Sequence, residues 1–278
     1  MKIILVPTDF SEQSKNALHL ASQLAKKLSA EVRLLHVIEQ PSGTYFTAVS
    51  EGLNDQLDNA FLLSLMEKLK MQMEATVQEH PDIKMDYRIK IGHFYRSLVS
   101  YMQGNKIDLI VMGTKGISGL DEILVGSNAE KVVRHVKVPI LAIKDRVDLE
   151  DIKDIVFGSS LTNRTEKVAS ELKTIQKMFN AHLHLVDVNT PNNFFRQAEA
   201  EASLQDFIDT YEIKDCDFAT YSDVTEEEGI LRYAEKIDAH LIAMATHGRT
   251  GMMHLLSGSL TEDVINHASR PVLSFQLG

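Results

Sequence analysis

The feature of this sequence that most constrains the fold is an internal repeat. Residues 109–141 align without gaps on residues 241–273 at an offset of 132, and both segments run from an apolar stretch through two glycines to Gly-Ser. Residues 1–9 align on residues 152–160 at a larger offset of 151. The period is too long for a solenoid, so the chain is predicted to be a tandem duplication of one fold.

The two offsets locate the difference between the copies. The first copy holds 19 more residues than the second (151 − 132), and we expect them in the polar, helical stretch from Gln40 to Asp82. The charged stretch Asp145–Asp154 is typical of a junction. With 278 residues and roughly 150 residues per domain, two domains are predicted, at residues 1–147 and 151–278.

Each copy alternates short apolar strands with amphipathic helices. In the first copy the pattern predicts strands at 3–6, 31–38, 86–91, 109–112 and 138–143, and helices at 14–29, 54–78, 93–103 and 127–135. Ser11 is a candidate N-cap for the first helix. Apolar strands separated by helices indicate a parallel sheet covered on both faces. The expected fold class is therefore α/β, with two tandem doubly wound, Rossmann-like domains.

Composition and charge exclude several classes of protein. The single cysteine, Cys216, can form neither a disulfide within the chain nor a Cys-rich zinc module. The net charge of −10 disfavours nucleic-acid binding, which depends on Lys and Arg against phosphates. No apolar run reaches 18 residues, and the N-terminus does not read as a signal peptide. We therefore expect a cytoplasmic protein with no membrane partner and no nucleic-acid partner.

Two predicted strand ends carry residues suited to a ligand site, and ligands in open α/β sheets bind at such ends. These residues are Pro7, Thr8 and Asp9 after the first strand, and Met112, Gly113, Gly116, Gly126 and Ser127 from the fourth strand onwards. Glycine lets backbone approach a ligand closely, and a helix N-terminus presents free N–H groups to phosphate. Ser127 is both an N-cap candidate and a hydroxyl donor, and Asp9 is an acceptor for a ribose hydroxyl or a base amine.

The glycine spacing G-x2-G-x9-G-S has a simpler interpretation, since a loop glycine is more often just a turn. The same spacing recurs in the second copy as Ala245, Gly248, Gly258 and Ser259, again after an apolar strand. Because the pattern persists while the surrounding sequence has diverged, we favour a ligand site in the first copy.

These motifs resemble those of the universal stress protein family in its tandem form. In the first copy the resemblance rests on ILVPTDFS, His36-Val37, VMGTKG with GS nine residues later, and VPILAI. The second copy contributes MATHGRTG, GS and RPVLSF. The resemblance covers nearly the whole chain. It implies a five-stranded sheet of order 3-2-1-4-5 in each half, and an intrachain pseudo-dimer paired through the final strands, 138–143 and 271–275.

One branch of this family binds ATP at the motif, usually with a divalent ion such as Mg²⁺ or Mn²⁺. The resemblance implies that Asp9 and Val37 flank the adenosine, beside Pro7 and Thr8. It implies that ribose and phosphates are held by Met112, Gly113, Gly116, Gly126, Ser127 and Asn128. It also implies a regulatory or stress-response module, and a homodimer in addition to the pseudo-dimer.

The second copy departs from the motif at two positions. Ser160 stands where the first copy has Asp9, and Ala245 stands where it has Gly113. We therefore expect the first half to bind adenine nucleotide, and the second half to offer a weaker site at Gly248, Gly258 and Ser259.

The sequence favours a nucleotide-binding module over an enzyme. It contains no P-loop, and no residue is evidently placed to activate water, so no catalytic residue is assigned. Two alternatives stay open, a slow ATP hydrolase and a nucleotide-independent interaction scaffold. No metal ligand is assigned either: His182 and His184 alternate on a predicted strand, which is more typical of a half-exposed strand than of a zinc site.

Overall fold

The computed structural model describes residues 2–39, 55–114, 127–158, 165–247 and 254–277, and in both copies strands alternate with helices. The strands of the first copy are β1 (Ile3–Pro7), β2 (Glu31–Ile38), β3 (Lys84–Ile91), β4 (Leu109–Gly113) and β5 (Ile140–Ile143). Its helices are α1 (Glu12–Leu28), α2 (Asp55–Gln78), α3 (Phe94–Gln103) and α4 (Ser127–His135). The predicted elements are all present, with boundaries that differ by at most two residues.

The second copy repeats this order of elements. Its strands are β6 (Asp154–Gly158), β7 (His182–Asn189), β8 (Cys216–Ser222), β9 (Leu241–His247) and β10 (Val272–Leu277). Its helices are α5 (Glu166–Phe179), α6 (Gln197–Thr210), α7 (Glu226–Lys236) and α8 (His254–His267). α2 has 24 residues where α6 has 14, so more than half of the 19 extra residues lengthen this one helix. None of the described helices is long and apolar enough to cross a lipid bilayer.

The ten described strands form one sheet in the order β3-β2-β1-β4-β5-β10-β9-β6-β7-β8. Each half therefore has the order 3-2-1-4-5, and all pairs within a half are parallel. The halves meet where β5 pairs antiparallel with β10, with Leu141 opposite Leu273. Arg134 of α4 also donates to the Glu262 carboxylate of α8 at 2.6 Å. Both the α/β fold class and the predicted pseudo-dimer through the final strands are confirmed.

α1 shows how local sequence sets one of these elements. Ser11 is extended, and its hydroxyl accepts a hydrogen bond from the Ser14 N–H at 3.3 Å, which confirms the predicted N-cap. Because the cap residue directly precedes the first helical residue, the helix begins at Glu12, two residues before the predicted start. It ends before Ser29, whose φ of 51° is left-handed.

The central strand β1 is buried on both faces of the sheet. Ile4 and Val6 belong to the core cluster that contains Leu24 of α1. Leu5 belongs to the opposite cluster, which contains Leu98 of α3 and residues of α4. This burial on both faces explains why the strand is a continuous apolar run and not an alternating one.

Glu31 is the first residue of β2 and stabilises the edge of the sheet at which the strands of the first half begin. Its side chain is only 3% exposed, and its carboxylate accepts hydrogen bonds from Arg33 Nε at 2.7 Å and from Lys84 Nζ at 2.8 Å. Burial by itself would raise the pKa of Glu31. The hydrogen bonds and charges of Lys84 and Arg33 together outweigh burial and hold that pKa below its ordinary value of 4.5.

We expect Glu31→Gln to lower the free energy of unfolding by about 1–3 kcal/mol at neutral pH, because it removes a buried, charge-assisted pair. Since folding lowers the pKa of Glu31, this stability is present above pH 4.5 and is lost as the pH falls through the lower folded-state value. Urea unfolding of both proteins from neutral pH to about pH 3 measures the difference. Glu79→Gln, at an exposed carboxylate, is the control. A difference that does not shrink in acid would contradict the assignment.

Candidate functional site

Two neighbouring strands end side by side at the centre of the first half. β1 ends at Pro7 and β4 ends at Gly113, and the two strands pair in parallel. β2 and β3 lie on one side of β1, and β5 lies on the far side of β4, so the strand order reverses between β1 and β4. Such a reversal opens the crevice in which doubly wound folds bind ligands. The structure thus brings the predicted residues of both strand ends to one edge of the sheet.

The loop after β1 holds the Asp9 carboxylate in a fixed position. Its Oδ1 accepts hydrogen bonds from the Ser11 N–H at 3.0 Å and from the Ser11 hydroxyl. The Thr8 N–H donates to the Leu35 carbonyl at 2.9 Å, and Thr8 Oγ1 accepts from the Phe10 N–H at 3.1 Å. Among the described residues, no donor reaches Oδ2 of Asp9. This partly exposed carboxylate can therefore accept a further hydrogen bond from a ligand.

His36 connects the end of β2 to the same loop. Its Nδ1 donates to the Thr8 carbonyl at 2.7 Å, and its ring lies 5.1 Å from the Phe10 ring. Val37, the next residue on β2, is partly exposed and packs against the core cluster that contains Leu98. The predicted Val37 is thus placed near the Asp9 loop. The sequence showed His36 only as part of a family motif, whereas the structure gives it a positioning contact.

The first turn of α4 lies at the same edge of the sheet. Asn128 Nδ2 donates to Glu39 Oε1 at 3.3 Å, and Glu39 directly follows β2. The same oxygen accepts from the Phe94 N–H at the start of α3, at 3.2 Å. This contact places Asn128 close to the end of β2, and its role in holding ribose and phosphates stays a prediction. Glu39 was missed, because one acidic residue after an apolar strand is a common surface pattern.

The glycine-rich loop between β4 and α4 lies outside the described residues, and with it Gly116 and Gly126. Ser127 is the first described residue of α4, and its side chain is outside the described part, so its N-cap role stays a prediction. The backbone N–H of Ser127 still belongs to the first helical turn, whose N–H groups have no partner within the helix. The start of α4 therefore keeps the property that suits it to an anion.

The structure assigns Met112 and Gly113 a packing role that the sequence did not reveal. The Met112 side chain is 4% exposed and lies in the core, so only its backbone can face a ligand. A Cβ placed on Gly113 would lie 2.8 Å from the backbone carbon of Gln13 in the first turn of α1. A larger residue at this position would therefore force α1 to shift on β4, whether or not a ligand is bound.

The second half assembles its version of the motif differently. Ala245, 7% exposed, occupies the position of Gly113 in β9. α8 begins at His254, so Gly258 and Ser259 lie inside the helix and not at its start. Their N–H groups are at positions that bond carbonyls within the helix, and they are not free to bind phosphate. Ser160 and Gly248 lie outside the described residues.

Both copies are similar to known proteins of one family. The model of the universal stress protein family matches residues 1–144 and 152–275. A universal stress protein of Methanocaldococcus jannaschii is 33% identical over 153 residues, which cover 51% of this chain and 94% of that relative. One from Synechocystis is 25% identical over 295 residues, covering 99% of this chain and 100% of the relative.

A solved structure shows the same fold over the full length. The universal stress protein of Archaeoglobus fulgidus superposes with a TM-score of 0.75 at 24% identity. The match covers 99% of this chain and 98% of that one. The fold of both halves is therefore shared over nearly the whole length of that solved chain.

Proposed function

Because this chain belongs to the universal stress protein family in its two-domain form, we propose that its first half binds an adenine nucleotide, with ATP as the ligand, and acts as a regulatory or stress-response module. The observation that carries this proposal is the Asp9 carboxylate at the reversal of strand order. Its Oδ1 is fixed by Ser11, and its Oδ2 faces no donor among the described residues. A preorganised acceptor in this crevice suits a ribose hydroxyl or an adenine amine.

The other groups at this edge complement the remaining parts of a nucleotide. The apolar side chain of Val37, partly exposed beside the Asp9 loop, offers a surface for the base. The phosphates would lie towards Ser127 and Asn128, where the free N–H groups and the dipole of α4 favour an anion. Mg²⁺ or Mn²⁺ would neutralise part of the phosphate charge, with phosphate oxygens and water as ligands.

We propose that the second half binds nucleotide weakly or not at all. A shorter hydroxyl, that of Ser160, replaces the Asp9 carboxylate, and the Ala245 methyl group replaces the hydrogen of Gly113. The placement of Gly258 inside α8 removes the free helix terminus from that position. One strong site per chain is therefore expected from a chain that carries two copies of the fold.

Calorimetric titration of the full-length chain with MgATP tests this function. We expect one binding site per chain and weaker binding of GTP, which shares the ribose and phosphates with ATP but not the base. ATP at a hundred times its Kd should raise the free energy of unfolding by about 2.7 kcal/mol. Two equivalent sites would contradict the asymmetry between the halves. No binding heat and no thermal shift at millimolar ATP would overturn the proposal and favour the interaction scaffold.

The nucleotide recovered from the same samples distinguishes a slow ATP hydrolase from a binding module. A hydrolase would convert bound ATP to ADP faster than the buffer does, whereas a binding module returns ATP intact. We propose binding without turnover because the described groups at the site hold and orient a ligand. We also propose that this chain forms a homodimer through a surface other than β5 and β10, since those strands already pair within the chain.

A further inference from the structure

A second group of chemically active side chains lies at the opposite edge of the sheet, in the second half. It comprises His182 and His184 at the start of β7, and Asp217 at the start of β8. We call these three residues the histidine cluster. One nitrogen of each histidine and a carboxylate oxygen of Asp217 all lie within 4.8 Å of one another. The cluster therefore lies at the amino-terminal ends of the strands, whereas the nucleotide motif lies at the carboxyl ends.

Both histidines direct a ring nitrogen at the same carboxylate. Nε2 of His182 lies 3.3 Å from Oδ2 of Asp217, and Nδ1 of His184 lies 2.7 Å from Oδ1. The register explains this convergence: His184 is paired with Asp217 across β7 and β8, and His182 is two residues away on the same face of β7. Zinc bonds of about 2.0–2.1 Å in a tetrahedron separate ligand atoms by roughly 3.3 Å. This separation matches the His182–Asp217 spacing and lies within the 4.8 Å span of the three ligand atoms, whereas the 2.7 Å contact of His184 would have to lengthen.

The remaining nitrogen of each histidine is held by a different carboxylate. Nδ1 of His182 donates to Asp215 at 2.8 Å, and Nε2 of His184 donates to Asp154 at 3.0 Å. A carboxylate behind a histidine fixes the ring orientation and the tautomer, and makes the other nitrogen a better metal ligand. The cluster thus has both an inner set of ligands and an outer set of supports.

The first copy shows what this edge looks like without such a cluster. At the offset of 151, Glu31 and Arg33 occupy the positions of His182 and His184, and Arg33 pairs with Asp86 as His184 pairs with Asp217. In the first copy, the positive charge that balances the carboxylate is supplied by the protein itself, because Glu31 forms ion pairs with Arg33 and Lys84.

In the second copy, the ion pairs of Asp154, Asp215 and Asp217 within the described residues are all with histidines. When the histidines are neutral, three carboxylates therefore lie around this point, and no Lys or Arg in the described part of the chain pairs with them. Such a site attracts a divalent cation, and imidazole with carboxylate is a ligand set that zinc accepts.

We propose that His182, His184 and Asp217 bind a divalent transition metal ion, with Zn²⁺ as the best fit. Asp217 is about half exposed and His182 is 31% exposed, so the fourth position is open to water. β8 is an edge strand of the sheet, and the metal would cross-link it to β7. Cys216 is not a ligand: its thiol donates to the Ile213 carbonyl at 3.3 Å, and neighbouring strand residues point to opposite faces.

Titration of the full-length, untagged chain with ZnCl₂ tests this site, because a polyhistidine tag would itself bind zinc. We expect one Zn²⁺ per chain, and a rise in thermal unfolding temperature that EDTA reverses. His184→Ala should weaken Zn²⁺ binding by at least roughly tenfold. Asp217→Asn keeps the size of a surface side chain and therefore the fold, and it should weaken binding similarly. His135→Ala, an exposed histidine on α4, is the control and should leave Zn²⁺ binding unchanged.

Two results would overturn the metal site. Equal Zn²⁺ binding by wild type, His184→Ala and Asp217→Asn would show that other surface histidines bind the ion. No Zn²⁺ binding by the wild type would show that the cluster is only a set of His–Asp hydrogen bonds. Neither result depends on nucleotide, so the two proposed sites are tested independently.

Discussion

Replacing Asp9 with alanine is expected to weaken ATP binding by roughly ten- to hundredfold. A hydrogen bond to a charged group contributes about 1.5–3 kcal/mol, and about 1.4 kcal/mol is a factor of ten in affinity. The substitution removes Oδ2, which no donor in the described ranges reaches, and also the Oδ1 that binds Ser11. Titration calorimetry with MgATP measures the change. Asp9→Asn keeps one acceptor and the shape of the side chain, so we expect a smaller loss.

The internal repeat supplies a matched control for this substitution. Ser160 occupies the position of Asp9 in the second copy, and Ser160→Ala should leave the affinity for ATP unchanged. If Asp9→Ala binds ATP as the wild type does, the carboxylate is not a nucleotide ligand. If Ser160→Ala weakens binding as much as Asp9→Ala, the second half contributes equally and the asymmetry between the halves is wrong.

Replacing Gly113 with alanine is expected to lower the free energy of unfolding by about 1–3 kcal/mol. The new methyl group would lie 2.8 Å from both the backbone carbon and the Cβ of Gln13, so α1 must shift on β4. The obstacle is backbone, which cannot rotate away as the end of a long side chain can. Gly113→Val, with two further methyl groups, should cost more. Urea unfolding monitored by circular dichroism measures both.

Gly104→Ala is the control for this effect. A Cβ at Gly104 would come no closer than 3.9 Å to the Tyr101 carbonyl, and the residue has ordinary right-handed backbone. We expect its free energy of unfolding to change by less than about 0.5 kcal/mol. A Gly113→Ala protein as stable as wild type would contradict the packing role. Loss of ATP binding in Gly113 variants must therefore be compared with their stability before it is assigned to the ligand site.

The fold was largely predictable because its signals are local or repeated. The Ser11 cap, the apolar stripe of α1 and the buried run of β1 each follow from residues close in sequence. The repeat then showed that one domain is built twice. The strand order came from the family resemblance, since strands of similar hydrophobicity do not by themselves reveal which neighbours they pair with.

The contacts that sequence reasoning missed all depend on tertiary structure. Gly113 meets Gln13 only because α1 packs on β4, and these residues are a hundred positions apart. The histidine cluster needs the register between β7 and β8 that places Asp217 opposite His184. The alternation of His182 and His184 correctly predicted that they share a face of a partly exposed strand, but it could not show which carboxylates surround them.

The measurement that tests the central claim most directly is the nucleotide content of freshly purified wild type, Asp9→Ala and Ser160→Ala after saturation with MgATP and removal of free ligand. Each protein is denatured, and the released nucleotide is identified and counted per chain. One adenine nucleotide per chain in wild type and Ser160→Ala, and little in Asp9→Ala, is the predicted result. Two nucleotides per wild-type chain, or none, would contradict a protein whose first half binds nucleotide and whose second half does not.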